Sequence, residues 1–220
     1  MKYNTILFDL DGTMTDPKEG ITKSVAYALQ HFGIQVDDLD SLTCYIGPPL
    51  AVSFPEYHGI SEEDTPTAVA KYRERFSDVG WAENLVYDGV GQMLAELKRA
   101  GKKLLVATSK PELFAVRILE HFGLASYFDL ICGAPMHAPK GHGKADVIRD
   151  ALERAGVRDV SEAVMVGDRL HDVEGAHTIG LPCIGVLYGY GDREEMELCH
   201  ADYIAENVSA LCAMLLGEDK

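Results

Sequence analysis

Five short, mostly apolar runs constrain this chain of 220 residues more than any other feature: Thr5 to Leu10, Lys103 to Thr108, Phe128 to Cys132, Ala163 to Gly167 and Cys183 to Leu187. A strand with one wet face alternates polar and apolar residues, whereas a strand covered on both faces reads as a continuous apolar run. Around these runs lie stretches with apolar residues at helical spacing. Val90 to Ala100, Glu112 to Phe122 and Lys144 to Ala155 are stopped by Gly101, Gly123 and Gly156, where a helix C-terminus favours a left-handed residue. Strand and helix in alternation, with short connections, predict an α/β fold built on a doubly wound parallel sheet.

The first run breaks that rhythm. Between Leu10 and Lys103 the chain reads mainly as helix: Ile21 to Phe32 stops at Gly33, and the charged stretch Glu62 to Asp78 carries Thr65-Pro66 in its first turns. The pattern predicts an α-helical domain, residues 16–85, inserted into a core formed by residues 1–15 and 86–220, which a C-terminal helix from Asn207 to Leu216 closes.

Composition narrows the function. The formal net charge of −15 argues against nucleic-acid binding, which draws its affinity from basic residues on phosphates, and against docking on an anionic membrane surface. Five scattered cysteines without a C-x-x-C pair suggest neither a disulfide framework nor a thiolate metal site. The opening residues lack an apolar signal-peptide segment. A cytoplasmic location is the expectation.

Acidic residues cluster at two predicted strand ends. Phe8-Asp9-Leu10-Asp11-Gly12-Thr13 ends the first run, and side chains at i and i+2 of an extended chain point the same way. Two such carboxylates repel unless a cation or a proton intervenes. Gly167-Asp168-Arg169-Leu170-His171-Asp172 ends the fourth run. If those strands are neighbours, four carboxylates converge where open α/β sheets bind ligands, and an all-oxygen set suits a hard cation such as Mg²⁺. Capping of the helix near Leu170 also accounts for Asp168 alone. Thr108-Ser109-Lys110-Pro111 places hydroxyls and a helix start at another strand end, fit for a phosphate oxygen or for an ordinary N-cap. Lys144 opens a helix against the dipole, so an anion is its expected partner, with Lys140 competing for that role.

In that order, these motifs resemble the haloacid dehalogenase-like hydrolases across essentially the whole chain, and the phosphoglycolate-phosphatase-like or 5'-nucleotidase-like subgroup with a helical cap in particular. The resemblance implies a Rossmann-like core and a phosphatase using Mg²⁺ on a small phosphorylated metabolite. It makes Asp9 the nucleophile that forms an aspartyl-phosphate and Asp11 the general acid and base, with Thr13 orienting Asp11. Gly12, Thr108, Ser109 and Lys144 would hold phosphate. Asp9, Asp168, Asp172 and the Asp11 carbonyl would hold the metal. An aspartate at position 11 separates the chain from the dehalogenase and phosphonate-cleaving branches. A phosphomutase of the β-phosphoglucomutase type is the alternative, but its R-x-x-G-x-S-R loop is missing where Tyr45-Ile46-Gly47-Pro48-Pro49 stands. A non-catalytic protein binding a phosphorylated metabolite is a further alternative. Specificity is expected from the cap, at Lys23, Tyr45, Gly47, Pro48 and Arg73; the loop holding His137 and His142 departs from the subgroup's pattern. The expected assembly is a monomer or homodimer.

Overall fold

A computed structural model describes residues 3–137, 139 and 141–217. Its elements in chain order are β1 (Thr5–Phe8), β2 (Thr15–Asp16), α1 (Lys18–His31), α2 (Leu50–His58), α3 (Thr65–Arg75), β3 (Leu85–Val86), α4 (Val90–Arg99), β4 (Lys103–Pro111), α5 (Glu112–His121), β5 (Leu130–Ala134), α6 (Lys144–Arg154), β6 (Ala163–Gly167), α7 (Leu170–Ile179), β7 (Cys183–Val186), α8 (Arg193–Leu198), β8 (Tyr203–Ala205) and α9 (Val208–Leu216). Contacts divide the chain into two compact units: one holds the residues through Asp16 and those from Val86 onward, the other is Pro17–Leu85.

The first unit is a six-stranded sheet in the order β5-β4-β1-β6-β7-β8, with every pairing parallel. Central β1 has Ile6, Leu7 and Phe8 fully buried, as a strand covered on both faces must be. It pairs with β4 on one side and β6 on the other, Phe8 lying level with Val106 and Val166. One face packs Leu7, Leu105 and Met165 against Val147 and Ile148 of α6 and Val173 of α7. The strands therefore all end on one edge of the sheet, and the loops from β1, β4 and β6 emerge side by side. Gly101, Gly123 and Gly156 have φ of 76°, 68° and 68°, which is how three helices stop without strain.

The sheet has one strand more than the apolar runs predict. β8 is a three-residue edge strand with Tyr203 exposed, too short and too wet to leave a continuous apolar signal. β4 runs on through Ser109 and Lys110 to Pro111, with a register irregularity after Thr108.

In the helical unit α3 begins at Thr65 rather than Glu62, because Pro66 takes a first-turn position where its missing N–H costs nothing. α3 ends at Arg75 and passes into a wide turn, Phe76–Gly80. α2 carries an internal Pro55, which hides the helix from sequence reading. No helix among the described residues is long and apolar enough to cross a membrane.

Candidate active site

The turn after β1 is built around one carbonyl. Leu10 O accepts hydrogen bonds from the N–H groups of Thr13, Met14 and Thr15, and Gly12 takes φ of 81°. That glycine is needed twice over, since a Cβ there would also lie 2.1 Å from an Asp168 carboxylate oxygen. The turn holds Asp9 and Asp11 buried at 6% and 9% exposure. The β6 loop brings Asp168 and Asp172 to the same place, both essentially inaccessible. Gly167 lets Asp172 fold back, because a Cβ at 167 would lie 2.1 Å from the Asp172 carboxyl carbon.

Two lysines enter this acidic pocket. Lys144 Nζ, from the first turn of α6, lies 2.9 Å from Asp9 Oδ1 and 2.7 Å from Asp172 Oδ1, and donates to Ala107 O at 3.2 Å. Its aliphatic stem fits because α7 has Gly175 opposite, where a Cβ would come within 2.9 Å of it. Burial works against the ammonium charge, but Asp172 and Asp9 outweigh it and hold the Lys144 pKa above its ordinary value. Lys110 Nζ lies 2.8 Å from Asp11 Oδ2, while Asp11 Oδ1 is buried without a hydrogen-bond partner. Burial raises the Asp11 pKa; Lys110 opposes that and Asp9 adds to it.

Asp9, Asp168 and Asp172 each turn a carboxylate oxygen to within 4.8 Å of the others. Burial, then mutual repulsion, pushes the Asp168 pKa well up; burial pushes Asp172 up to about 6, with Lys144 opposing. Lys110 pairs with Asp11, and Lys144 is shared between Asp9 and Asp172, with Asp168 buried beside them. A divalent cation supplies what that charge count lacks, and the donor set is all oxygen. The residues present fit Mg²⁺.

Thr108 is buried within β4, just before its register irregularity, and its Oγ1 accepts the Lys110 N–H at 3.2 Å; Ser109 follows it half-buried. The Thr13 hydroxyl does not orient Asp11 as expected: it donates to Asp168 Oδ1 at 3.2 Å. Lys140 lies outside the described residues. His137 is exposed, and His142 stands 3.9 Å from Asp146 with its Nε2 buried and unpartnered.

In the helical unit, Lys23 pairs with Glu19 and Glu83. Tyr45 is a core residue there, its ring against Phe54 and Tyr57 and its hydroxyl 2.8 Å from His58 Nδ1. Gly47 has φ of 105°, with Pro48 and Arg73 half-buried.

Sequence reading missed two contributors. Lys110 sat inside a quoted motif without a role; its signal was the i+2 spacing from Thr108. The turn Leu187-Tyr188-Gly189-Tyr190-Gly191 was passed over, although Tyr190 N–H donates to Asp168 Oδ2 at 2.8 Å. Its signal was two glycines spaced through a turn just beyond a strand end.

A family model described as haloacid dehalogenase-like hydrolase matches residues 6–186. A protein named 5'-nucleotidase from Pseudomonas aeruginosa is 42% identical over 215 residues, 98% of this chain and 96% of that one. One named tyrosine-protein kinase PtkA from Mycobacterium tuberculosis is 44% identical over 187 residues, which span 84% of this chain but only 62% of that protein. The solved structure of a predicted phosphatase from Clostridium acetobutylicum superposes with a TM-score of 0.94 at 49% identity, covering 99% of this chain and 100% of that one.

Proposed function

The chain belongs to the haloacid dehalogenase-like hydrolases and is a phosphoric monoester hydrolase, and from that premise we propose a Mg²⁺-dependent reaction through an aspartyl-phosphate on Asp9. One observation carries the reading: Asp9, Asp11, Asp168, Asp172 and two lysines meet at one edge of the sheet. An Asp9 oxygen attacks phosphorus and the ester P–O bond breaks. Asp11, whose raised pKa favours the protonated form, gives its proton to the departing oxygen. Asp11 then takes a proton from the water that cleaves the acyl-phosphate and returns Asp9. Thr108, Ser109 and Lys144 hold the phosphoryl oxygens beside the turn at Gly12. Asp9, Asp168, Asp172 and the Asp11 carbonyl would hold Mg²⁺, which would supply charge neutralisation between anionic nucleophile and anionic phosphate.

The substrate in this reading is a small cytoplasmic phosphorylated metabolite, a nucleoside monophosphate or a phosphoglycolate-like acid. The helical unit acts as a cap and selects among them, with Lys23, Gly47, Pro48 and Arg73 as candidates. The name of the Pseudomonas relative supports the nucleotide class. Phosphate release from nucleoside monophosphates and phosphoglycolate, with and without Mg²⁺, tests it beside Asp9→Asn. We expect activity to require the metal and to fall about a thousandfold or more in the variant. Turnover that survives both chelation and Asp9→Asn overturns it.

A further inference from the structure

The chain leaves the sheet-bearing unit at Asp16 and re-enters it at Val86, and one turn after β7 grips both crossings. Tyr190 donates its main-chain N–H to Asp168 Oδ2 at 2.8 Å, and its phenol O–H donates to the Asp16 carboxylate. Tyr188 donates its phenol O–H to the Thr13 carbonyl at 3.1 Å, and its ring meets that of Tyr87 edge-on at 5.3 Å. Tyr87 in turn donates its N–H to Met14 O at 3.2 Å. Gly189 brings the turn this close: a Cβ there would lie 2.3 Å from Gly12 O and 2.4 Å from Asp168 Cβ.

Asp168 thus has one oxygen on Thr13 and the other on Tyr190. Both donors belong to the pieces that fix the outgoing crossing. A carboxylate with both oxygens hydrogen-bonded has its direction set by its donors. Any shift of Asp168 toward a cation is therefore felt by Tyr190 and Thr13. Such coupling is reciprocal: whatever holds the crossing also prepares the carboxylate. The Tyr190 hydroxyl is the informative atom. A phenylalanine ring would fill the same space, so the O–H is spent on Asp16.

We propose that Tyr190 is a positioning residue that couples cation binding at Asp168 to the conformation of the chain crossing at Asp16. The inference rests on reading Asp168 as a Mg²⁺ ligand, and its test needs no substrate.

Mg²⁺ affinity is measured by titration calorimetry on the full chain for the wild type, Tyr190→Phe, Asp16→Ala and the double variant. Amide hydrogen exchange is followed in parallel at residues 13–16 and 86–88. In the wild type Mg²⁺ is expected to slow exchange in both segments. Tyr190→Phe is expected to keep its fold by circular dichroism, to weaken Mg²⁺ binding about 3- to 10-fold and to lose that extra protection. Asp16→Ala does the same, and the double variant is no worse than either single one, since one hydrogen bond is being removed. Unchanged affinity with retained Mg²⁺-dependent protection in Tyr190→Phe overturns the proposal, and so do additive effects of the two substitutions. If wild type binds Mg²⁺ and shows this coupling but hydrolyses no phosphate ester, only the proposed reaction fails. If it hydrolyses esters while Tyr190→Phe binds Mg²⁺ normally, only the coupling fails.

Discussion

Asp168 and Asp172 in the candidate site depend on residues that have no side chain. Gly12, Gly167, Gly189 and Gly191 all lie where a Cβ would strike Asp168 or Asp172 or their backbone. Of these, only Gly12 has a positive φ; the others are glycine for space. Gly189 is tightly constrained, because the atoms a Cβ would meet include the Gly12 carbonyl and the Asp168 Cβ, neither of which is the far end of a flexible chain. We expect Gly189→Ala to lower stability by about 1–3 kcal/mol. Mg²⁺-dependent phosphatase activity should fall about a hundredfold or more, as a carboxylate displaced by an ångström would cause. Urea denaturation beside a rate assay measures both, and an alanine variant with wild-type Mg²⁺ affinity contradicts the steric argument. The acidic residues themselves were legible in sequence, since an aspartate at a buried strand end has few uses. Their glycine frame was not, because only folding brings residue 189 against residue 12.

The same contrast holds for whole elements. β1, β4, β6 and β7 announce themselves as apolar runs because the sheet is buried on both faces. β8 does not, being an edge strand of three residues, and α2 is masked by Pro55. The core face of α1 is likewise hidden. Gly20 on α1 approaches the Phe76–Gly80 turn so closely that a Cβ would lie 2.0 Å from Gly80 O and 2.8 Å from Glu83 O. The Gly20 N–H donates to Glu83 O at 2.9 Å, and the Ser24 hydroxyl returns to Gly20 O at 2.6 Å. Beside this contact Arg75 holds the Glu83 carboxylate through both its terminal nitrogens, at 2.7 and 2.9 Å. A helix glycine ordinarily costs about 1 kcal/mol relative to alanine. Here the sign reverses, and Gly20→Ala is expected to destabilise the helical unit by about 2–3 kcal/mol. The aspartate cluster belongs to the other unit, so its Mg²⁺ affinity should stay within about twofold. Hydrogen exchange resolved by segment separates the two effects; a loss of protection spread evenly over both units would refute this.

At the scale of the molecule, the carboxylates of a chain with a formal charge of −15 fall into two groups with opposite pH behaviour. Arg75 and Arg154 hold Glu83 and Glu112 below the usual carboxylate range; those pairs contribute stability above the unfolded pKa and lose it as pH falls. Burial does the reverse at the candidate metal site, pushing Asp11 up, Asp172 up to about 6, and Asp168 well up. An acid whose folded pKa is raised contributes stability below its unfolded value, near 4, and loses it as pH rises through the folded value. Metal-free protein is therefore weakened by its own site between about pH 4 and pH 6. For Asp172 alone a shift of about two pKa units is on the order of 3 kcal/mol. Under the proposed function, Mg²⁺ would bind the ionised carboxylates and so compete with protons over the same range. Because the Arg-paired glutamates titrate alike with and without metal, they cancel in the difference. The gap in melting temperature between Mg²⁺-loaded and metal-free protein should thus widen from pH 4 to pH 7 by about 5–10 °C, at 2–4 °C per kcal/mol for a chain of this size. Asp172→Asn should flatten that rise, since the group that exchanges its proton for the metal is gone. A gap that is constant with pH, or that narrows, would mean that the cluster carries its charge without a cation.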